Sequence, residues 1–471
     1  MMKKIVSYII LVAGFTVLLS SCKKELELKP YSAIELGESF KTVNDAKAWD
    51  NGLSASLRSR VYGIYTYSQD VQADQLNATL EYGNRNGNPH RWGTSFLADD
   101  YTIRDTWSGY YFMMKNVNTA IAGYPLITAA TPAEQAALDK YRGSAYAMRA
   151  YLYSELIIRF AKAYEPATAT TDPGVPLVLT YNPNDRPGRA TVKEVYDQII
   201  SDITAATPLL TATPGTQGAT TFTLHALKAL EARVRLNMQD WTGAKAAADA
   251  VIGSGTYPLY STQAGLTSMW VNDANQETIM RSLFIAPAEL GNANNIYLGF
   301  QPANNKFIPD YVPSQWVVDK YAATDIRKNV YFAQKPLLIQ GVDYPNIWVV
   351  NKFPGNPALF TGANTNYMHS ARIFRVAELY LISAEAGARA GGAAATDALV
   401  KLNELRTKRG LIGLVGLTGQ PLMDEIKEER FKSLENEIGL FLDQILQKLN
   451  LTFHHSHQPL GAFRRVPVAL R

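Results

Sequence analysis

The densest cluster of groups able to recognise a ligand is the stretch 82–92, Tyr82-Gly83-Asn84-Arg85-Asn86-Gly87-Asn88-Pro89-His90-Arg91-Trp92. An aromatic ring offers a flat apolar face that can lie against the apolar side of a sugar ring. Guanidinium and carboxamide groups are planar and meet hydroxyls at the ring edge. Both kinds of group stand here in one segment, and its glycines and proline mark it as a loop. Trp92 admits a second role, anchoring that loop to the core. Other chemistries find less support. Asp99-Asp100 and Glu428-Glu429 are adjacent acids, whereas a glycosidase needs two carboxyls at a set separation across the scissile bond. They are read as solvated faces. His454, His455 and His457 have the residue type of a metal site, but no carboxylate stands nearby and neighbouring side chains diverge in extended chain. No metal, cofactor or catalytic residue is assigned. The chain has no Gly-x-Ser-x-Gly elbow, no His-Glu-x-x-His helix and no phosphate loop.

A different reactive group lies near the amino end. Lys3 and Lys4 precede the apolar run 5–19, which closes on Leu19-Ser20-Ser21-Cys22. This is the layout of a secretory signal, and the run falls short of the roughly 20 residues that span a bilayer. Cleavage after Ser21 by an ordinary signal peptidase would place Leu19 where a small residue is wanted. Leu-Ser-Ser-Cys instead resembles a bacterial lipobox, in which the cysteine thiolate is alkylated by a diacylglyceryl group and the new amino terminus is acylated. More than one acyl chain makes such anchoring stable. Cys22 is the only cysteine of the 471 residues, so neither a disulfide nor a cysteine zinc site can hold the fold.

Stability must then come from a packed core, for which 47% hydrophobic residues suffice. The formal net charge of +4 makes no case for nucleic acid. The compositional bias is aromatic, with 26 Tyr, 17 Phe and 7 Trp, residues suited both to cores and to binding surfaces. Apolar residues at spacings of three and four predict helices over 141–163, from Thr191 to about Leu210, and over two following segments lined by Leu227, Leu230, Val234 and by Trp241, Ala244, Ala248. Thr191 with Glu194 has the spacing of a capping box. A later pair is predicted on either side of Gly391-Gly392, with Ala377, Leu381, Ala384 and Ala388 on one face and a second helix over 396–409. Small residues at such contacts let helix axes approach closely. The pairs resemble tetratricopeptide repeats, though at irregular spacing. The segments 77–105, 255–315 and 331–371 are rich in Gly, Asn, Pro and aromatics. They are expected to be loop-dominated insertions carrying the binding face.

With these pieces in order, the chain from about 39 to 437 resembles the SusD/RagB nutrient-binding lipoproteins of Bacteroidetes outer membranes. The resemblance rests on Trp107, Tyr110, Tyr111 and Asn118, then Arg142, Ala145, Arg149, Ala150 and Tyr151. It continues through Gly174-Val175-Pro176-Leu177, Arg233, Asp240-Trp241, Asp325, Arg327, Lys352-Phe353, Arg375, Glu378, Asn403, Arg406 and Arg409-Gly410. After 437 the pattern departs, with Ile438, Gly439, Leu440, Asp443, Gln444 and Leu446 in place of the family's Glu-Gly-x-Arg continuation.

The resemblance implies a mostly α fold, a scaffold of tetratricopeptide-like helix pairs with long insertions. It divides the chain into a signal (1–21), a lipidated tether (22–37), an amino-terminal helical region with the ligand loop (38–230) and a carboxyl-terminal region (231–471). It further implies a non-enzymatic protein anchored through Cys22 at the outer membrane, facing outward, that captures an oligosaccharide or peptide for a TonB-dependent, SusC-like transporter. Candidate ligand residues are Asp74, Tyr82, Arg85, Asn88, Arg91 and Trp92, with Tyr297 and Trp316 in regions that complete the site in relatives. An anchored glycoside hydrolase and a purely structural helical adaptor are the competing expectations.

Overall fold

The computed structural model describes residues 38–182, 184–285, 297–361 and 367–434. Cys22, the three clustered histidines and the divergent end after 437 lie outside them. Among the described residues no helix is long and apolar enough to cross a membrane.

The fold is mostly helical. Its amino-terminal helices are α1 (Val43–Arg58), α2 (Ile64–Gln72), the short α3 (Gly87–Arg91), α4 (Tyr101–Gly123), α5 (Pro132–Phe160) and α6 (Val192–Leu209). There follow α7 (Leu224–Asn237), α8 (Trp241–Ile252), α9 (Gln263–Val271), α10 (Gln315–Asp319), α11 (Lys328–Tyr331), α12 (Val376–Ala390), α13 (Gly392–Lys408) and α14 (Gly419–Leu434). The capping box expected at Thr191 is present: its hydroxyl accepts from the Glu194 backbone N–H, and the Glu194 carboxylate accepts from the Thr191 N–H. Helix α5 begins well before the predicted 141, because Thr131 caps the Glu134 N–H and Pro132 occupies the first turn.

Helices pair as the small-residue pattern implied, α5 with α6, α7 with α8 and α12 with α13, while α12 also lies along α8. Ala244, Ala248, Ala377, Ala384 and Ala398 are fully buried at these contacts. A Cβ on Gly387 would come within 2.6 Å of the Ala394 carbonyl oxygen, so the α12–α13 approach demands glycine there. The largest apolar cluster runs from Phe40 to Ala386, and a second gathers on Trp270, Tyr321, Tyr331 and Phe431.

Arginines on the inward faces are each satisfied by a carboxylate from a distant segment, and Arg327 by a neighbouring one as well. Arg149 pairs with Asp202 at 2.8 and 2.7 Å, and Arg233 grips Glu378 with two bonds of 2.7 Å. Arg327 meets Asp325 at 2.9 and 2.7 Å and Glu429 at 2.5 Å. Glu429 is therefore buried within the frame and not on a solvated face. Several residues that carry the family resemblance, Arg149, Arg233, Arg327 and Glu378 among them, thus belong to ion pairs that hold the frame together.

Strands occupy the regions expected to be loops. The segment 331–371 contains β6 (Phe332–Ile339) and β7 (Val342–Val350), an antiparallel hairpin turned at Gln340-Gly341, both at positive φ. Pro336 and Pro345, with a register irregularity between Lys335 and Leu337, hide its period-two pattern. The earlier segment holds α9 together with β2 (Thr278–Ser282), β3 (Leu298–Gln301), β4 (Lys306–Pro309) and β5 (Tyr311–Pro313). The order β3-β4-β6-β7 makes a four-stranded sheet, with β4 and β6 parallel. Strand β1 (Leu76–Ala78) pairs antiparallel with β5, and β2 with β8 (Ala371–Arg375). The β1–β5 pairing matters for function, because it brings the strand region beneath the 82–92 loop.

Candidate functional site

The loop after β1 is shaped by unusual backbone. Among the described residues nine non-glycine positions have positive φ; Tyr82, Asn84 and Trp92 lie in this loop, and Asp74 stands just before β1. Such conformations are strained for L-residues and persist only where surrounding contacts over-determine them.

The structure divides the predicted residues into two groups. Tyr82 and Arg85 are tied to the strands: the Tyr82 hydroxyl donates to the Ile308 carbonyl at 3.1 Å, and Arg85 holds one Asp310 carboxylate oxygen through Nε at 2.9 Å and Nη2 at 2.5 Å. Burial pushes the Asp310 carboxyl up, and the Arg85 guanidinium pulls it back toward the ionised form. Tyr297 belongs to the same internal structure. Its ring stacks on Tyr311 at 4.5 Å, its hydroxyl accepts from the Val350 N–H at 2.5 Å, and its carbonyl accepts from the Asp310 N–H at 2.8 Å. These three side chains build the wall behind the loop.

At the other end of the loop, Trp92 is 52% exposed. Its indole N–H donates to the Gln72 carbonyl at 2.9 Å and its ring meets Phe96 edge-on at 5.7 Å. Trp92 thus anchors the loop through its ring nitrogen and leaves much of its ring exposed. Asp74 lies 3.8 Å from the His90 imidazole, and its carbonyl accepts from the Ser314 hydroxyl at 2.5 Å. Arg91 is exposed and Asn88 half-buried on α3. Trp316, two residues past Ser314, is 44% exposed and packs on Phe431 at 5.5 Å. It does not share a cavity with Trp92.

Beside Trp92 opens a cavity of about 820 Å³ between α2, α4 and the end of α5, within the roughly 300–1,000 Å³ of small-ligand sites. Trp92, Phe96 and Phe160 supply aromatic wall, and Gln69, Gln72, Lys162, Glu165 and Asp172 supply polar groups. Lys162 pairs with Asp172 at 2.6 Å, and Thr168 donates to the second oxygen of that carboxylate at 2.6 Å. The Lys162 and Thr168 bonds hold the Asp172 carboxyl below its usual range, which unfits it as the protonated acid of a glycosidase. Arg189 closes the far rim, pinned to the carbonyls of Gly174 and Phe160.

Of the predicted residues only Trp92 lines this cavity. Its opposite wall is not evident from sequence, because Tyr164-Glu165-Pro166 by local pattern is only the mark of a helix end. Phe96, four residues after Trp92 in the same aromatic-rich loop, was the available signal. Among the described residues no group of three or more His, Cys, Asp or Glu could hold a metal ion.

The helix pairs, the long insertions and an aromatic-walled cavity define a helical-repeat binding protein. Comparison with known proteins specifies which. The family described as "Starch-binding associating with outer membrane" matches residues 26–236, and that described as "SusD family" matches residues 329–443. The chain belongs to the SusD/RagB family, whose members are non-catalytic binding proteins. SusD-like protein P38 of Formosa agariphila is 26% identical over 353 residues, 70% of this chain and 61% of that protein. The chain thus spans less than two thirds of this relative's length. A SusD superfamily protein from Bacteroides thetaiotaomicron superposes with TM-score 0.72 at 24% identity, covering 85% of this chain and 88% of that one. A SusD-like carbohydrate binding protein from Bacteroides vulgatus gives TM-score 0.70 at 21% identity, covering 87% and 84%. The likeness in fold confirms the mostly helical, tetratricopeptide-like architecture.

Proposed function

We propose that the protein captures an oligosaccharide at the outer membrane and delivers it to a TonB-dependent, SusC-like transporter, held at the surface by a lipid anchor on Cys22. The observation that carries this reading is the cavity beside Trp92, about 820 Å³ with three aromatic side chains and a polar rim. Stacking against the Trp92 ring would take the apolar face of a sugar, and the carboxamides of Gln69 and Gln72 with the Lys162–Asp172 pair would meet its hydroxyls. The Bacteroides vulgatus relative described as carbohydrate binding supports the ligand class. Capture alone serves uptake, because holding a ligand beside a transporter mouth raises its effective concentration there.

Calorimetry with the soluble body beginning after Pro30, titrated with a panel of neutral and acidic oligosaccharides and of peptides, tests the reading. Saccharide binding is expected, and Trp92→Ala should weaken it by roughly 2 kcal/mol, about thirtyfold, as expected for an aromatic anchor. The circular dichroism spectrum should be unchanged. Binding of peptides alone would replace the oligosaccharide reading with a peptide one, and saccharide cleavage would reject capture without turnover.

A further inference from the structure

A different aromatic surface lies on the outer side of α4, and none of its residues lines the cavity. Phe112 is 57% exposed and Tyr181 52%. The Lys115 ammonium sits between them, 5.1 Å from the Phe112 ring centre and 5.3 Å from that of Tyr181. The Arg60 guanidinium lies 5.8 Å from the same Phe112 ring. Two large rings left this exposed forgo the gain of burial, and exposed aromatic clusters mark contact sites.

The arrangement is held in place from beneath. Tyr111 donates to the Pro176 carbonyl at 2.8 Å and Asn118 to the Val178 carbonyl at 2.6 Å. These bonds fasten the chain leading to Tyr181 along α4. Arg60 is aimed by its Nε bond to the Gly109 carbonyl at 3.2 Å. Among the described residues neither Lys115 nor Arg60 has a carboxylate within ion-pair distance. Elsewhere in the fold most cations are matched to acids, so two cations without carboxylate partners, resting against two exposed rings, define a surface complementary to an anion that also carries an apolar face.

We propose that Phe112, Tyr181, Lys115 and Arg60 form a second glycan contact, selective for acidic polysaccharide, with sugar faces on the rings and carboxylate or sulfate oxygens on the cations. The proposal rests on the carbohydrate reading above. It assigns this surface to long chains that reach beyond the cavity, where two linked contacts strengthen binding more than either alone.

The test uses the full chain in detergent and measures binding to polygalacturonate, dextran sulfate and uncharged dextran at low and high salt. The acidic polymers should bind more tightly than dextran, and the preference should shrink as salt screens it. Polygalacturonate and dextran sulfate separate carboxylate from sulfate recognition. Lys115→Gln and Phe112→Ala should each weaken acidic-polymer binding about tenfold, the scale of one charge-assisted hydrogen bond for the lysine and of one stacking contact for the ring, and Lys115→Gln should also flatten the salt dependence. Lys47→Gln, an exposed site on α1 with the same change of charge, should stay within about twofold. Equal effects of Lys115→Gln and Lys47→Gln, or no preference for acidic polymers, overturn the proposal. If short oligosaccharides bind through Trp92 while the Lys115 and Phe112 variants are silent, only this second contact falls. If no glycan binds at all, the carbohydrate reading falls with it.

Discussion

The helical frame and the strand-backed loop both hold arginine and aromatic side chains, yet they use them in opposite ways. In the frame, Arg149, Arg233 and Arg327 are buried and matched to Asp202, Glu378 and Glu429 from other segments, and Tyr110, Tyr151 and Tyr196 are sealed from solvent. In the loop, Arg85 remains 40% exposed over a buried Asp310, Trp92 presents much of its ring, and the positive-φ residues Tyr82, Asn84 and Trp92 bend the chain. What distinguishes the regions is how deeply the side chains themselves are buried. A frame residue that loses its partner strands a charge in the core, whereas a loop residue such as Trp92 can be removed without leaving anything buried and unpaired.

The sharpest way to test that difference is to strand a charge in the frame. Arg327 is fully buried and serves Asp325, Glu429 and Ser433, so Arg327→Ala should lower stability in urea by about 4 kcal/mol. Ligand affinity of the protein that remains folded should be unchanged. Arg85→Ala should show intermediate behaviour. It leaves the Asp310 side chain, 1% exposed, without its guanidinium, and partial exposure of Arg85 limits the loss to about 2 kcal/mol. Because Arg85 also braces the loop, affinity should fall with stability in this variant, unlike Trp92→Ala, where affinity alone should fall. If Arg85→Ala changed affinity while leaving the urea midpoint in place, Arg85 would be a ligand contact and the division between wall and presented ring would fail.

The same contrast explains what could be read from the sequence. The frame was legible because each helix repeats its apolar positions every three or four residues and announces its start, as Thr191 with Glu194 does. The start of α5 was misplaced because the amino-terminal turns, with Leu138 their only fully buried apolar side chain, carry little apolar signal. The β6–β7 hairpin was invisible because Pro336 and Pro345 interrupt its alternation. The loop 82–92 was legible as a ligand segment by residue type, but its division into braced and presented parts was not. That division is made by Ile308, Gly299 and Asp310, more than two hundred residues away, and only the β1–β5 pairing brings them under the loop. Likewise the wall from Phe160 to Asp172 acquires its role from facing Trp92 and Phe96, a relation that local sequence does not contain.

Protonation offers a milder probe of frame against strands, because each region buries a group whose affinity for a proton differs from that in the unfolded chain, and the two respond with opposite sign. Asp50 on α1 is buried with its carboxyl raised to about 6 by desolvation, partly offset by Lys140. His369, stacked on Phe353 at 4.7 Å before β8, is pushed down to about 4 by burial and by Arg372. As pH falls from 7 to 6, the folded state takes up a proton at Asp50 while the unfolded chain does not, and stability rises. Over the same interval the unfolded chain protonates His369, near its ordinary 6.5, while the folded state does not, and stability falls. In the wild type the two contributions therefore oppose each other across that step. Asp50→Asn should shift the response to acidification toward loss of stability, and His369→Asn should shift it toward gain, each by on the order of half a kcal/mol. Urea midpoints at pH 6 and 7 compare the slopes independently of any packing change the substitutions cause. Equal slopes in the two variants would mean that neither group is as buried as its neighbours make it, and that frame and strand region seal their interiors to different degrees than the geometry requires.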